Sequence, residues 1–149
     1  MTDAASGQLP VMANFINPET LHHPAGYTHV VEVTAGRLVY IAGQVALDPT
    51  GQLVGPGDIR AQARQVFDNF QAALQAVGAG FAQVVKLTYY LVDARQLPVI
   101  GEVRDHYVNP HQPPASTAVE VRRLVRDDLL IEVEAVAVVA SLQPMTATA

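Results

Sequence analysis

Two carboxylates, Glu132 and Glu134, stand two residues apart inside an otherwise apolar run, Ile131-Glu132-Val133-Glu134-Ala135-Val136-Ala137-Val138-Val139. Side chains alternate along a strand, so Ile131, Val133, Ala135, Ala137 and Val139 face one way and Leu130, Glu132, Glu134, Val136 and Val138 the other. The first set is wholly apolar and must be covered. The second places two acids where a carboxylate needs water, a partner or a catalytic task. Residues 117–124 also read as a strand, and Arg126-Asp127-Asp128 suits a turn, so the simplest arrangement is an antiparallel hairpin over 117–139. Either register of that hairpin brings Arg122 or Arg123 beside Glu132, directly or diagonally. Spacing alone leaves two readings of Glu132 open, a catalytic carboxylate and half of a structural ion pair.

Other candidate groups are sparser. His22-His23 precede a proline in a loop without a third ligand at metal spacing, and zinc wants three or four ligands with a supporting shell. His29, His106 and His111 stand alone in the sequence, on an expected strand face, a helix and a loop. Tyr27 lies in a Gly-Tyr-Thr turn at a strand start, where a tyrosine either packs or bares its hydroxyl. No phosphate-binding loop, dinucleotide fingerprint or nucleophile elbow occurs. Gly55-Pro56-Gly57 lacks the following Lys-Ser/Thr of a phosphate cradle and reads as a helix-entry turn.

These groups must be positioned by one domain, since 149 residues match the usual size of about 100–150. Hydrophobic residues make up 50% and charged ones 15%, which excludes a disordered chain and suggests extra surface buried in an oligomer. With net charge −5 and scattered basic residues, the electrostatic footprint of a nucleic-acid binder is missing. Cysteine is absent, which excludes thiol catalysis and disulfides. Neither a secretory leader pattern nor a membrane-length apolar run occurs, and the expected compartment is the cytoplasm.

Residues 1–15 read as a flexible arm, 16–141 as the domain and 142–149 as a tail. A hairpin is expected over 27–46 around Thr34-Ala35-Gly36, and a short strand at 52–54. A long helix follows, from the Asp58 N-cap to a stop at Gly78, with Ala63, Val66, Phe67, Phe70, Ala73, Leu74 and Val77 on one stripe. Residues 84–92 form the next strand, and 97–107 a second helix with Pro98 in its first turn. The result is an α+β domain with two helices on one face of a mixed sheet, the Glu132 and Glu134 face being left uncovered unless an oligomer buries it.

The pieces INP at 16–18, PAGY at 24–27, IAGQVALDPTGQLVG at 41–55, DIRAQARQVFDNFQAAL at 58–74, VVKLTYYLVD at 84–93 and PPAST…VEV…IEVEAVAV over 113–138 together resemble the Rid family, also called YjgF, the reactive-intermediate deaminases. The resemblance covers residues 16–140. It implies a chorismate-mutase-like fold and a homotrimer whose clefts between subunits bind a small molecule, with no metal, cofactor, nucleic acid or membrane. Its deaminases hydrolyse 2-aminoacrylate and related enamines or imines. Their signature Pro-Ala-Arg-Ser precedes a Val-Glu-Val strand; the arginine grips the substrate carboxylate, and the first Glu of Glu-x-Glu lies near the attacking water. Aligned on Val119-Glu120-Val121, this chain reads Pro114-Ala115-Ser116-Thr117, so Ser116 replaces the arginine, as in arginine-lacking branches. By the same alignment Tyr27 and Glu132 are the catalytic candidates, and Ser116, Thr117 and Ala118, the last through its backbone amide, the substrate-binding ones. Ala42-Gly43-Gln44 stands where many members have Ser-Gly-Gln.

On this resemblance the expected function is hydrolysis of an imine, enamine or similar electrophile lacking the usual carboxylate handle, without metal or cofactor. The alternatives are a non-catalytic small-molecule-binding trimer and the ribonuclease activity attributed to some members, which the negative charge disfavours.

Overall fold

A computed structural model describes residues 12–142. Six strands and two α-helices follow one another in the order β1 (Ala13–Ile16), β2 (Val30–Val33), β3 (Arg37–Gln44), α1 (Ile59–Gln75), β4 (Val84–Leu91), α2 (Leu97–Arg104), β5 (Ala115–Glu120) and β6 (Ile131–Val139). The main sheet has the order β3-β6-β4-β5, with β4 and β5 parallel and the other pairs antiparallel. β1 and β2 form a separate antiparallel ribbon.

α1 starts where its cap chemistry dictates: Asp58 Oδ1 accepts a hydrogen bond from the Ala61 amide at 3.1 Å. Its apolar stripe buries Ala63, Val66, Phe67, Phe70 and Leu74 against Leu87, Tyr89, Leu91, Ile131, Val133, Ala135 and Ala137 of the sheet. The alternation read from the sequence of β6 holds, since the odd-numbered residues 131–139 are all buried. α2 is shorter than the expected 97–107, ending at Arg104.

The hairpin expected over 117–139 is not formed. β5 pairs in parallel with β4, through Ser116↔Leu87 and Ala118↔Tyr89, and β4 lies between β5 and β6. Buried Leu124 and Leu129 anchor the connection to the core, so it crosses the sheet end instead of turning back. Gln62 of α1, completely buried, completes its hydrogen bonding. Its Nε2 donates to the carbonyls of Gly55 and Asp128 at 3.1 and 3.0 Å, and its Oε1 accepts from the Leu130 amide at 2.8 Å.

The hairpin expected over 27–46 likewise has no β2–β3 ladder: the chain reverses at Gly36 (φ +104°), but β2 pairs with β1 and β3 with β6. The strand expected at 52–54 is reduced to a single bridge, Leu47↔Leu53. β1 also takes in residues 13–15 of the expected arm, because Ala13, Val85 and Val138 pack together with Phe15 and Val31 beside them. The ribbon thus covers one end of the sheet face expected to be bare. Residues 1–11 of the arm and 143–149 of the tail lie outside the described residues.

Candidate active site

The sheet divides the sequence-derived candidates into two groups. Residues paired across a ladder point to the same face. Ser116 and Ala118 are therefore on the face of Leu87 and Tyr89, which the helices cover. Thr117 lies opposite Thr88 and Glu132 opposite Tyr90, on the other face.

On the helix side, a cleft of about 720 Å³ is lined by Tyr27, Ser116 and Ala118 together with Tyr89, Leu97 and Arg104. Thr28 positions Tyr27 there: its amide donates to the Pro114 carbonyl at 3.2 Å and its hydroxyl to the Pro113 carbonyl at 2.5 Å, which pins the loop to the start of β5. The Ser116 hydroxyl makes only a 3.4 Å contact with the Pro114 carbonyl, leaving it available to a ligand.

Tyr27 has company the sequence did not reveal. Its hydroxyl is 2.6 Å from His22 Nε2, and His29 Nε2 is 2.8 Å from the His22 carbonyl oxygen. The three rings pack edge to face, with centroids 4.8 Å apart for His22 and His29 and 5.2 Å for Tyr27 and His29. The available signal was Pro24-Ala25-Gly26: Gly26 has φ +78°, and the reversal it permits folds His22 back onto Tyr27. His106 and His111 remain exposed and apart. No group of three or more metal-ligating side chains occurs among the described residues.

On the open face, Glu132 is half-buried and forms no hydrogen bond or ion pair among the described residues. Arg123 pairs with Asp127 instead, at 2.8 Å, so the ion pair allowed by the expected hairpin is not made. Glu134 accepts from the Tyr90 hydroxyl at 2.8 Å, and this bond raises the phenol above its ordinary pKa. Thr117 Oγ1 accepts from Lys86 Nζ at 2.7 Å. The Glu132 carboxylate reaches over Gly43, where any Cβ would overlap it. β3 carries one extra residue there, since Ile41 pairs with Ala135 and Gln44 with Val133. That bulge and the bare glycine aim the carboxylate along the β3 edge.

One copy of the chain therefore gathers Tyr27, Ser116 and Ala118 but leaves Thr117 and Glu132 across the sheet.

Comparison with known proteins agrees with this architecture. Residues 18–139 match the family model described as endoribonuclease L-PSP. A RutC family protein of Pyrococcus horikoshii is 41% identical over 128 residues, covering 85% of this chain and 98% of that protein. The 2-iminobutanoate/2-iminopropanoate deaminase of Escherichia coli is 34% identical over 113 residues, 74% of this chain and 86% of that one. The crystal structure of the Rid family protein YyfB from Yersinia pestis superposes with a TM-score of 0.76 at 38% identity, covering 86% and 99% of the two chains. With the family model, the relatives and the two-helix mixed-sheet fold in agreement, the chain belongs to the Rid (YjgF) family.

Proposed function

We propose that the protein hydrolyses a small imine, enamine or comparable electrophile in clefts completed between the copies of a homotrimer. The observation that carries this reading is the division of the site: Tyr27, Ser116 and Ala118 line a cleft on one side of the sheet, while Glu132 projects on the other. A second copy that brings its Glu132 and Gly43 edge to the cleft of the first completes the set. Glu132 then takes a proton from water as the oxygen bonds to the C=N carbon. Glu132 returns that proton to the nitrogen, the resulting carbinolamine collapses to a carbonyl as its hydroxyl proton passes to the nitrogen, and the nitrogen leaves as ammonia, so that one water is consumed for each ammonia released. Tyr27 supplies a hydroxyl fixed by His22. The relatives named as 2-imino-acid deaminases support the reaction class.

Ser116 argues against the standard 2-imino-acid substrate. Two charge-assisted hydrogen bonds from an arginine, at about 1.5–3 kcal/mol each, are together worth roughly 3–6 kcal/mol, or about two to four orders of magnitude in rate. In a coupled assay generating 2-aminoacrylate or 2-iminobutanoate, the natural protein is expected to exceed buffer hydrolysis only slightly, and Ser116→Arg to gain measurable turnover. Robust turnover by the natural protein would overturn this assignment of Ser116.

The family description brings ribonuclease activity into view. The charge distribution counts against it here. Of the nine basic residues, Arg60, Arg95, Arg104, Arg123 and Arg126 are already paired with carboxylates, on a chain of net charge −5. Incubation with labelled single-stranded RNA should leave it intact. Binding without turnover of any imine or enamine would instead favour the non-catalytic trimer. Among the described residues no helix is long and apolar enough to cross a membrane.

A further inference from the structure

The cleft that lacks an arginine on β5 contains one from α2. Arg104 reaches into it with a side chain only 16% exposed. Its Nε and Nη2 both donate to one oxygen, Asp105 Oδ1, at 2.9 and 2.7 Å, while Nη1 donates to nothing among the described residues. The same cleft is lined by Tyr89, 3% exposed, whose buried hydroxyl lies against Arg104 and donates its own proton to no acceptor among the described residues. Burial pushes the Tyr89 phenol well above its ordinary pKa, against the opposing pull of Arg104, so it stays protonated and keeps a proton to donate. Gly26 completes the arrangement. A Cβ at that position would stand 2.7 Å from Arg104 Nη2 and 3.0 Å from Nη1, so a side chain there would push the guanidinium away from the loop that carries Tyr27.

An unspent donor, where the other buried side-chain polar atoms among the described residues are satisfied, calls for an acceptor from outside the chain. We propose that Arg104, with the Tyr89 hydroxyl, is the anion anchor of this cleft, and that the ligand it selects is a short-chain monocarboxylate. The charge that Ser116 cannot supply comes from a different wall, so the acid is held in a different place from one gripped by an arginine on β5. A carboxylate fits better than a phosphate because Asp105 already shares the fork: the cleft offers one half-neutralised cation and neutral donors, which suit a single negative charge. Leu97 and Pro98 give the acid's chain an apolar wall. Asp105 occupies the fork until the ligand arrives, and as a half-exposed partner it exchanges readily with an incoming carboxylate.

This inference rests on the reading of the cleft as the ligand site but not on catalysis, and its test is a binding experiment on the full chain. Titration calorimetry or NMR with butanoate, butanamide and methyl phosphate as probes is expected to rank butanoate at least tenfold above both others. Arg104→Gln should weaken butanoate about tenfold or more and leave butanamide unchanged, Tyr89→Phe should weaken butanoate several-fold, and Asp105→Asn should strengthen it. Equal binding of butanoate and butanamide by the natural protein would overturn the proposal without needing any variant, and so would unchanged butanoate affinity in Arg104→Gln. Tighter binding of methyl phosphate would overturn the carboxylate assignment. Should Arg104→Gln fail to fold, Tyr89→Phe and the acid–amide comparison decide. Turnover of a neutral imine without Arg104-dependent butanoate binding would sink this inference alone. Arg104-dependent binding without turnover of any electrophile would sink only the hydrolase reading.

Discussion

The two faces of the main sheet are made of one set of strands and have different purposes. The helix face is filled: Phe67 stacks on Tyr107 with ring centroids 5.2 Å apart, and α1 buries it and Phe70 completely. The opposite face carries Lys86, Thr117, Glu132 and Glu134, with Tyr40 76% exposed and Leu38 51% exposed beside them. Stability is therefore concentrated on one face, and the groups with unspent chemistry on the other and in the cleft at the first face's margin. Substitutions on the two faces should separate folding from function.

The largest stability effect belongs to the filled face. Phe67→Ala removes a fully buried ring and should destabilise the fold by about 3–5 kcal/mol, read as a shift of the denaturant midpoint at unchanged m. An effect under about 1 kcal/mol would mean that this face is not the seat of stability. Gln62→Ala comes next. It leaves the carbonyls of Gly55 and Asp128 and the amide of Leu130 without their partner, for an expected loss of about 2–4 kcal/mol. Hydrogen exchange should localise the loosening to the connection before β6.

Glu132→Gln should have the smallest effect on stability and the largest on turnover. Glu132 has no ion-pair partner among the described residues, so thermal unfolding should move by no more than about 0.5 kcal/mol while hydrolysis of an accepted substrate is lost. A loss of about 3–5 kcal/mol, as for one half of a buried ion pair, would restore the structural reading of this residue.

Much of this contrast was legible in the sequence. Period-two alternation in β6 separated apolar from acidic faces, and the 3.6-residue stripe and Asp58 cap placed α1, because these patterns are local. Strand partners were not local. Thr117–Val119 and Ile131–Val139 are close in sequence and β-rich, yet Leu124 and Leu129 find the core and Gln62 holds the connection, so β4 takes the place between them. The candidate site was legible only as far as its neighbours on one face. Tyr27, Ser116 and Ala118 do line one cleft, but the nearness of Arg104, Tyr89 and His22 to them depends on α2 and the Gly26 loop folding against β5. Arg104 read alone is an ordinary residue at a helix end, and only tertiary packing sets it beside the buried Tyr89 hydroxyl.

The central claim is that the two halves of the site meet between copies of the chain, and light scattering at micromolar concentration tests it most directly. The expected species has three times the 15.9 kDa mass of the chain and persists on dilution. A stable 15.9 kDa species would leave Glu132 on the wrong side of the sheet from Tyr27 and Ser116 and contradict the account.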